Sequence, residues 1–284
     1  MSGVPIVAVK IEHYCFNHSE RAPMQYVKTL ELTKSKIMNY HNAKPFRHLI
    51  IDNFFTEKTA KKLCRSFPDY NEDIWHIYNN AIENKKTINN WNIFNDIQYN
   101  IFTEMNSSEF VNSLSKLCGC NIIADPGLHG AGLHIHGDGG NLNPHLDYSL
   151  HPKTKLQRKI NIIVYIEEDY KESFGGQLGF WQHCSKSKIY GKLIKEITPA
   201  FNRCVIFDTT QNSWHGMSKP LRLPSGKYRK SIAMYYMQKP ATNVETRSRA
   251  LFAPRKDQMN DSKVLSLIEK RSNEATVSEV YEDH

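Results

Sequence analysis

Two side chains with metal-binding chemistry stand two positions apart in the stretch NPHLDYSLHP. His145 offers an imidazole and Asp147 a carboxylate, and an apolar segment begins shortly after them. In an extended segment, residues i and i+2 point to the same face, so these two groups would project side by side. The pair therefore predicts half of a metal site, and the remaining ligand has to come from elsewhere in the chain.

We predict that His215 is the missing ligand. Two histidines and one carboxylate on a triangular face are typical of non-haem iron centres, and this arrangement leaves three metal positions open. The third ligand need only be near in space, and in a jelly roll it comes from a later strand. His215 follows the apolar run Arg203–Asp208 and precedes Gly216, where the backbone can turn freely.

A guanidinium and a hydroxyl are predicted to share a face of the next strand. Arg229 and Ser231 are two positions apart in the run YRKSIAMYY. Together they would suit a carboxylate held at the bottom of a barrel, because the planar guanidinium binds such a group with two parallel hydrogen bonds.

A second triplet, His136-Gly-Asp138, competes with the first as a source of ligands. Gly139 and Gly140 follow it, so its side chains would hang on a flexible turn. Metal ligands need rigid support, and we therefore favour His145 and Asp147.

Short β-rich runs separated by Gly, Pro and Asn begin near residue 121 and would position these side chains. Five runs predict strands: Gly132–His136, Lys159–Ile166, Gly176–Trp181, Arg203–Asp208 and Lys230–Met237. Many short strands without regular helices between them indicate an antiparallel sandwich or jelly roll.

The residues ahead of this region predict fewer elements. A strand over His48–Phe55 leads into a helix that Thr56 caps and Pro68 ends. A second helix begins at Ser107 or Ser108 and ends at Gly119. Residues 1–43 give no clear assignment, and residues 69–100, rich in Asn, Ile and aromatics, fit a long irregular cover.

The C-terminal residues 255–284 are charged and poor in apolar side chains, which predicts a surface helix with a loose end. The cations Lys263, Lys270 and Arg271 are interpreted as its solvated face.

Composition limits the class of protein. The chain has 284 residues and a net charge of +8, but its lysines are spread along the chain, so nucleic acid is not an expected partner. No apolar run approaches the roughly 20 residues needed to cross a bilayer, and the start of the chain lacks a signal-peptide pattern. We therefore expect a soluble, cytoplasmic protein. The six scattered cysteines form no CxxC pair and are interpreted as reduced structural thiols: Cys15, Cys64, Cys118, Cys120, Cys184 and Cys204.

The order of these residues resembles the Fe(II)/2-oxoglutarate-dependent dioxygenases, and the local strings resemble their prolyl-4-hydroxylase-like branch. The strings are the Gly-Gly ahead of HLDYSLHP, RKINIIVYI, GGQLGFW, FNRCVIF and RKSIAMYY. The resemblance covers about residues 121–238, and residues 48–67 more loosely.

The resemblance implies a mainly β fold with flanking helices (α+β), built on a double-stranded β-helix, the jelly roll. The catalytic core would span residues 121–240. An N-terminal cover of residues 1–120 would pack on it, and residues 241–284 would form a charged extension of the same single catalytic domain.

The resemblance also assigns site roles. His145, Asp147 and His215 would bind iron, while Arg229, assisted by Ser231, would bind the distal carboxylate of 2-oxoglutarate. His136, on the strand ahead of the ligand turn, would contact the metal-binding end of 2-oxoglutarate or serve as a structural histidine.

Several aromatic residues carry two interpretations. Trp181 and Trp214 would line a cleft or belong to the core, and His134 and Tyr148 would meet substrate at the mouth.

Such enzymes use Fe(II), with 2-oxoglutarate and O2 as cosubstrates and ascorbate as a reductant for reactivation. They release succinate and CO2 while hydroxylating an unactivated C–H bond. The substrate is left open between a prolyl or other residue of a protein or peptide and a free amino acid, sugar or other small molecule, because a fold alone does not choose. The competing class is a non-catalytic jelly-roll binding module, but a degenerate module should have lost a ligand or the arginine, and all four are present.

Overall fold

The computed structural model describes residues 26–27, 30–273, 275–276 and 278–280. Cys15 and most of the unassigned N-terminal segment therefore lie outside the described residues. The α-helices of the described chain are α1 Lys34–Asn42, α2 Glu57–Arg65, α3 Asp96–Met105, α4 Ser108–Cys118 and α5 Ser262–Ser272.

The strands form two antiparallel sheets. In chain order they are β1 His48–Ile51, β2 His76–Asn79, β3 Glu83–Ile88, β4 Ile123–Ala124, β5 Gly132–His136, β6 Asn141–Leu142, β7 His145–Leu146, β8 Gln157–Tyr165, β9 Leu178–His183, β10 Tyr190–Ile197, β11 Arg203–Asp208, β12 His215–Met217, β13 Arg229–Gln238 and β14 Leu251–Phe252. The larger sheet runs β1-β11-β8-β13-β5-β3-β2, with β4 on β13 and β6 on β3; the smaller runs β10-β9-β12-β7-β14. The mainly β fold and the jelly roll are thus confirmed.

The strands of the larger sheet separate their two faces by strict alternation. On β13, Ile232, Met234 and Tyr236 are buried in the main hydrophobic core, which also contains the inner faces of α2, α3 and α4. The residues between them face the smaller sheet, beginning with Arg229 and Ser231. One face of the sheet therefore holds the helices, and the other is free to build a site.

Local sequence explains the helices. The Thr56 hydroxyl accepts a hydrogen bond from the Thr59 amide at the start of α2, as predicted. Ser107 caps α4, and Gly119 ends it in the left-handed conformation with φ 71°. Both predicted helices are confirmed to within a few residues.

Residues 69–100 are not an irregular cover. They contain β2, β3 and the start of α3, and β3 pairs with β5 in the larger sheet. The prediction failed because β3 reads Glu-Asn-Lys-Lys-Thr-Ile, in which polar side chains occupy both faces. Segments ahead of residue 120 thus extend the sheet in addition to covering it.

The C-terminal segment is also integrated into the fold. β14 pairs with β7, and Val264 of α5 packs beside Phe252. Arg271, expected on a solvated face, instead donates from Nε to Glu83 Oε1 at 2.8 Å with only 12% of its side chain exposed. That interpretation of Arg271 was wrong because the helix faces β3 at this point.

Two further findings concern the described chain as a whole. Its helices are all too short or too polar to span a bilayer. The five cysteines within it carry free thiols.

Candidate active site

A cavity of about 370 Å³ lies between the two sheets. The smaller sheet contributes residues of β7 and β12, and the larger sheet contributes the inward residues of β3, β5, β8 and β13. Its volume falls within the range typical of small-molecule sites, about 300 to 1,000 Å³.

His145, Asp147 and His215 meet at one wall of this cavity. β7 and β12 are neighbours, and His145 lies directly opposite His215 in their register. Each of the three residues offers a ligand atom, these atoms lie within 4.8 Å of one another, and all three residues are buried. Asp147 Oδ1 is 3.7 Å from His145 Nε2, and Oδ2 is 3.5 Å from His215 Nε2.

Hydrogen bonds to backbone carbonyls orient both imidazoles. His145 Nδ1 is 2.9 Å from the Asn143 carbonyl oxygen, and His215 Nδ1 is 2.8 Å from that of Ser213. A carbonyl can only accept, so each Nδ1 carries the hydrogen and each Nε2 presents a lone pair. This is the arrangement that a metal-binding histidine needs.

The charges at the cluster also fit a cation. Burial would raise the pKa of Asp147, but the positive charge of Arg158 and the neighbouring His215 outweigh it and hold the pKa well below its usual value. Burial lowers the pKa of His215 to about 3. At neutral pH the cluster therefore presents the Asp147 carboxylate and a neutral His215 imidazole, protonation states that bind a divalent metal.

Side chains of the C-terminal segment hold the turn that carries His145 and Asp147 in place. The ring of Phe252 in β14 stacks on His145 with centroids 5.1 Å apart. Arg255 donates to the Asn143 side-chain oxygen at 3.0 Å and to the Ser218 carbonyl at 3.1 Å, so it joins the turn before His145 to the end of β12.

Arg229 and Ser231 lie on the facing sheet in the same cavity, and both are buried. Arg229 donates from Nη2 to the Tyr165 hydroxyl at 3.2 Å and from Nη1 to His136 Nδ1 at 3.5 Å. Its Nε has no acceptor among the described residues, and neither has His136 Nε2. These donors could bind a carboxylate in the cavity.

The structure separates the competing triplets. His136 lines the cavity beside Arg229, whereas Asp138 is exposed and accepts a hydrogen bond from the Leu223 amide at 2.8 Å. The second triplet therefore does not converge, because its two side chains leave the chain in different directions.

Of the four ring-bearing residues whose roles the sequence left open, two line the cavity and two lie in the core. His134 and Tyr148 line the cavity. Trp181 and Trp214 do not. They pack with Leu146 in a separate hydrophobic cluster. Of their two predicted roles, cleft lining or core, the structure therefore supports the core.

Sequence reasoning missed three residues of the site: Lys85 and Arg158 line the cavity, and Tyr165 contacts Arg229 from the core behind it. Tyr165 was not singled out, although its spacing from Asn161 and Ile163 on β8 placed it on their face. Lys85 was missed because β3 was read as irregular. Arg158 was not predicted as a member of the site. It lies 3.5 Å from Asp147, and Tyr235 packs on its guanidinium.

Comparisons with known proteins agree with this geometry. Residues 131–237 match the family model of the 2OG-Fe(II) oxygenase superfamily. This span contains all three residues of the cluster as well as Arg229 and Ser231. A comparison with curated protein sequences found no match.

Solved structures share the fold. A Pseudomonas putida prolyl-4-hydroxylase superposes with a TM-score of 0.52 at 12% identity, over 72% of this chain and 98% of that one. A Phytophthora capsici prolyl 4-hydroxylase superposes with a TM-score of 0.52 at 17% identity, over 85% of this chain and 73% of that one.

A third relative carries out a different reaction. The non-heme α-ketoglutarate-dependent epimerase SnoN of nogalamycin biosynthesis gives a TM-score of 0.50 at 10% identity, covering 81% of this chain and 87% of that one. From the family match, the jelly roll and the His-Asp-His cluster together, we conclude that residues 131–237 form a 2OG-Fe(II) oxygenase domain, which supports Fe(II)- and 2-oxoglutarate-dependent dioxygenase chemistry, and that the fold is similar to that of prolyl-4-hydroxylases.

Proposed function

We propose that the protein hydroxylates an unactivated C–H bond, with His145, Asp147 and His215 as the iron ligands. The observation that carries this proposal is the convergence of three buried metal-binding side chains, opposite a buried arginine in one cavity. A non-catalytic module has no need of this arrangement, and its conversion to a binding role would remove the pressure to keep it.

Arg229 would bind the distal carboxylate of 2-oxoglutarate, and Ser231 would add a hydroxyl from the same face of β13. Tyr165 fixes the guanidinium through its hydroxyl. His136 accepts from Arg229 through Nδ1, so its Nε2 carries a hydrogen that can be donated into the cavity. The nearby cation Lys159 is not available for this role, because it forms an ion pair with Asp208 at 2.5 Å and does not line this cavity.

When bound, Fe(II) would activate O2, the oxidant, with 2-oxoglutarate as the co-reductant that is decarboxylated to succinate and CO2. The protein positions the reactants and keeps water away from them. Asp147 remains ionised beside Arg158, and His215 remains neutral, so protons do not compete with a metal for these two groups near neutral pH. The buried walls exclude water from the face on which the substrate C–H bond must lie.

Two substrate classes have support. The prolyl-4-hydroxylase neighbours favour a prolyl or other residue of a peptide or protein. The volume of the partly enclosed cavity, about 370 Å³, suits a free amino acid, sugar or other small molecule. Of these, we propose a peptidyl residue as the first class to test.

The test is a screen for succinate release across proline-rich peptides, amino acids and nucleotide sugars, with mass spectrometry of the products. We expect one class to give succinate and a product heavier by one oxygen atom in equal amounts. A product formed in the absence of 2-oxoglutarate, or formed equally well by His215→Ala, would contradict the proposal.

A further inference from the structure

The walls of the active-site cavity carry more positive than negative side chains. Among the described residues that line it, the cations are Lys85, Arg158, Arg229, Arg249 and Arg271, and the anions are Glu83 and Asp147. Such an excess inside a partly enclosed site is costly unless a ligand balances it.

The proposed function accounts for only part of this excess. Arg229 is assigned to one carboxylate of 2-oxoglutarate, and Asp147 to the metal. The two positive charges of Fe(II) balance the two negative charges of 2-oxoglutarate. The single charges of Arg229 and Asp147 likewise sum to zero. Arg271 is paired with Glu83. Lys85, Arg158 and Arg249 then remain, with three positive charges facing the space that is left for substrate.

Arg158 has unused hydrogen-bonding capacity. It is 3% exposed, and its Nη1 lies 3.5 Å from Asp147. Its Nε and Nη2 have no acceptor in hydrogen-bond geometry within the described chain. These two nitrogens form one edge of the guanidinium, the edge that binds a carboxylate or phosphate with two parallel hydrogen bonds.

The positive charge of Lys85 is likewise only partly balanced by nearby acidic groups. Its side chain is 15% exposed, and Nζ lies 3.8 Å from Glu83 Oε2, too far for a hydrogen bond. Glu83 is already engaged through Oε1 by Arg271. Burial lowers the pKa of Lys85, which shows that its charge is poorly solvated.

Arg249 completes the group from the C-terminal side. It lines the same cavity as Lys85 and Arg158, and it forms no ion pair with an acidic side chain of the described residues. The three cations thus come from three separate segments, β3, β8 and the residues ahead of β14, and converge on one space.

We propose that the substrate of this enzyme carries an anionic group, a carboxylate or a phosphate, that Lys85, Arg158 and Arg249 bind beside the reacting C–H bond. The inference rests on the proposed function because it assigns Arg229 to 2-oxoglutarate. It narrows the substrate to acidic molecules or to peptides with an acidic or phosphorylated residue next to the target.

The experiment measures binding to the protein saturated with Fe(II) and 2-oxoglutarate under nitrogen, by isothermal titration calorimetry. The probes are inorganic phosphate and two matched pairs. One pair is the blocked peptides acetyl-Gly-Ala-Pro-Ala-Gly-amide and acetyl-Gly-Glu-Pro-Glu-Gly-amide, and the other is prolinamide and proline. We expect phosphate and the acidic member of at least one pair to bind, the latter about tenfold or more tightly than its neutral partner. The pair that responds distinguishes a peptide from a small acid.

Lys85→Met and Arg249→Gln should each weaken phosphate binding by about tenfold, equivalent to about 1.4 kcal/mol. Lys86→Met is the matched control. Lys86 is the next residue of β3 but points away from the cavity, with Nζ donating to the Tyr70 carbonyl at 2.8 Å, and its variant should bind phosphate within twofold of the wild type.

The outcomes separate the two proposals. If 2-oxoglutarate binds but phosphate and all acidic probes bind no better than neutral ones, the anionic substrate is wrong and the oxygenase site stands. An equal loss in Lys86→Met and Lys85→Met would also overturn the anionic subsite. Failure of 2-oxoglutarate itself to bind would overturn both.

Discussion

At the scale of single residues, two backbone carbonyls decide which nitrogen of each histidine is available. The Asn143 and Ser213 carbonyl oxygens take the Nδ1 hydrogens of His145 and His215, and both Nε2 atoms are left facing Asp147. The three side chains are therefore oriented before any metal binds, which would lower the cost of ordering the proposed iron site.

Removing any one ligand should abolish turnover and leave the fold intact. His145→Ala, Asp147→Ala and His215→Ala each leave two donors, which hold a divalent metal weakly, whereas the hydrophobic core lies mainly on the other face of the larger sheet. The measurements are succinate release and Fe(II) affinity, with circular dichroism to verify the fold.

His136→Ala serves as the control for these ligand variants. His136 faces Arg229 and is not part of the cluster, so Fe(II) affinity should change by less than about twofold. Loss of metal binding in this variant, or normal turnover in His215→Ala, would show that the ligands have been misassigned.

Arg229→Ala should weaken 2-oxoglutarate binding by about two to three orders of magnitude while Fe(II) affinity stays nearly constant. Removing one member of a buried ion pair costs about 3 to 5 kcal/mol, and each 1.4 kcal/mol is a factor of ten. Arg229→Lys should lie between, since it keeps the charge but loses the planar fork.

The Arg229 measurement is 2-oxoglutarate affinity by anaerobic titration, with Arg222→Ala as the matched control. Arg222 is an exposed arginine and should be dispensable. Unchanged 2-oxoglutarate affinity in Arg229→Ala would mean that another group, such as Arg158, holds the distal carboxylate.

At the scale of elements, the site depends on how closely β12 approaches the turn before β7. A Cβ placed on Gly216 would lie 2.5 Å from the Asn143 carbonyl oxygen and 2.8 Å from that of Leu142. Only glycine fits there without movement of the backbone, and the Asn143 carbonyl is the one that orients His145.

Gly216→Ala should therefore lower Fe(II) affinity by about tenfold or more and destabilise the protein by about 1 to 3 kcal/mol, as overpacking does. The measurements are anaerobic metal titration and denaturant unfolding. Gly191→Ala is the control, because its Cβ would come no closer than 3.3 Å to a non-neighbouring atom and it lies on β10, away from the cluster. Equal metal affinity in both variants would show that this close approach does not position the ligand.

Elements with a clear periodic pattern could be predicted from the sequence, and those defined by their neighbours could not. β5 and β11 have the predicted bounds because their apolar residues and flanking turns define them locally. β3 could not be found because its polar residues are stabilised by pairing with β5 and β2, which lie elsewhere in the chain. Lys85 could not be predicted as a site residue for the same reason, because it lies on β3. His145, Asp147 and His215 could be predicted as a cluster from their residue types and spacing.

At the scale of the whole molecule, described segments that lie before, within and after the central strands form one structure around the cavity. β3 comes from the N-terminal part, the strands that carry the cluster come from the centre, and Phe252 and Arg249 come from the C-terminal part. We therefore expect a protein truncated after β13 to lose metal affinity, because Phe252 and Arg255 support the ligand turn.

Acid should destabilise the metal-free protein through its buried neutral histidines. Burial, with Lys85 and Arg229 nearby, lowers the pKa of His134 to about 3, and burial with Arg229 holds that of His136 well below its usual value. As the pH falls below 6.5, the unfolded chain takes up protons that the folded chain refuses, so stability falls. Between pH 7.5 and 5.5 each of these histidines should cost about 1.4 kcal/mol.

The acid effect is measured by denaturant unfolding at the two pH values. His134→Gln and His136→Gln should each reduce the loss by about 1.4 kcal/mol, because the amide does not titrate. An unchanged pH dependence in both variants would contradict the assignment of neutral histidines.

The most direct test of the central claim is an anaerobic titration of the protein with Fe(II) and 2-oxoglutarate, followed by visible absorption. If His145, Asp147 and His215 hold iron with 2-oxoglutarate anchored by Arg229, a weak charge-transfer band should appear only when both are present and saturate at one equivalent of each. The band should be absent in His215→Ala. A wild-type protein that binds Fe(II) but develops no band at saturating 2-oxoglutarate would contradict the account.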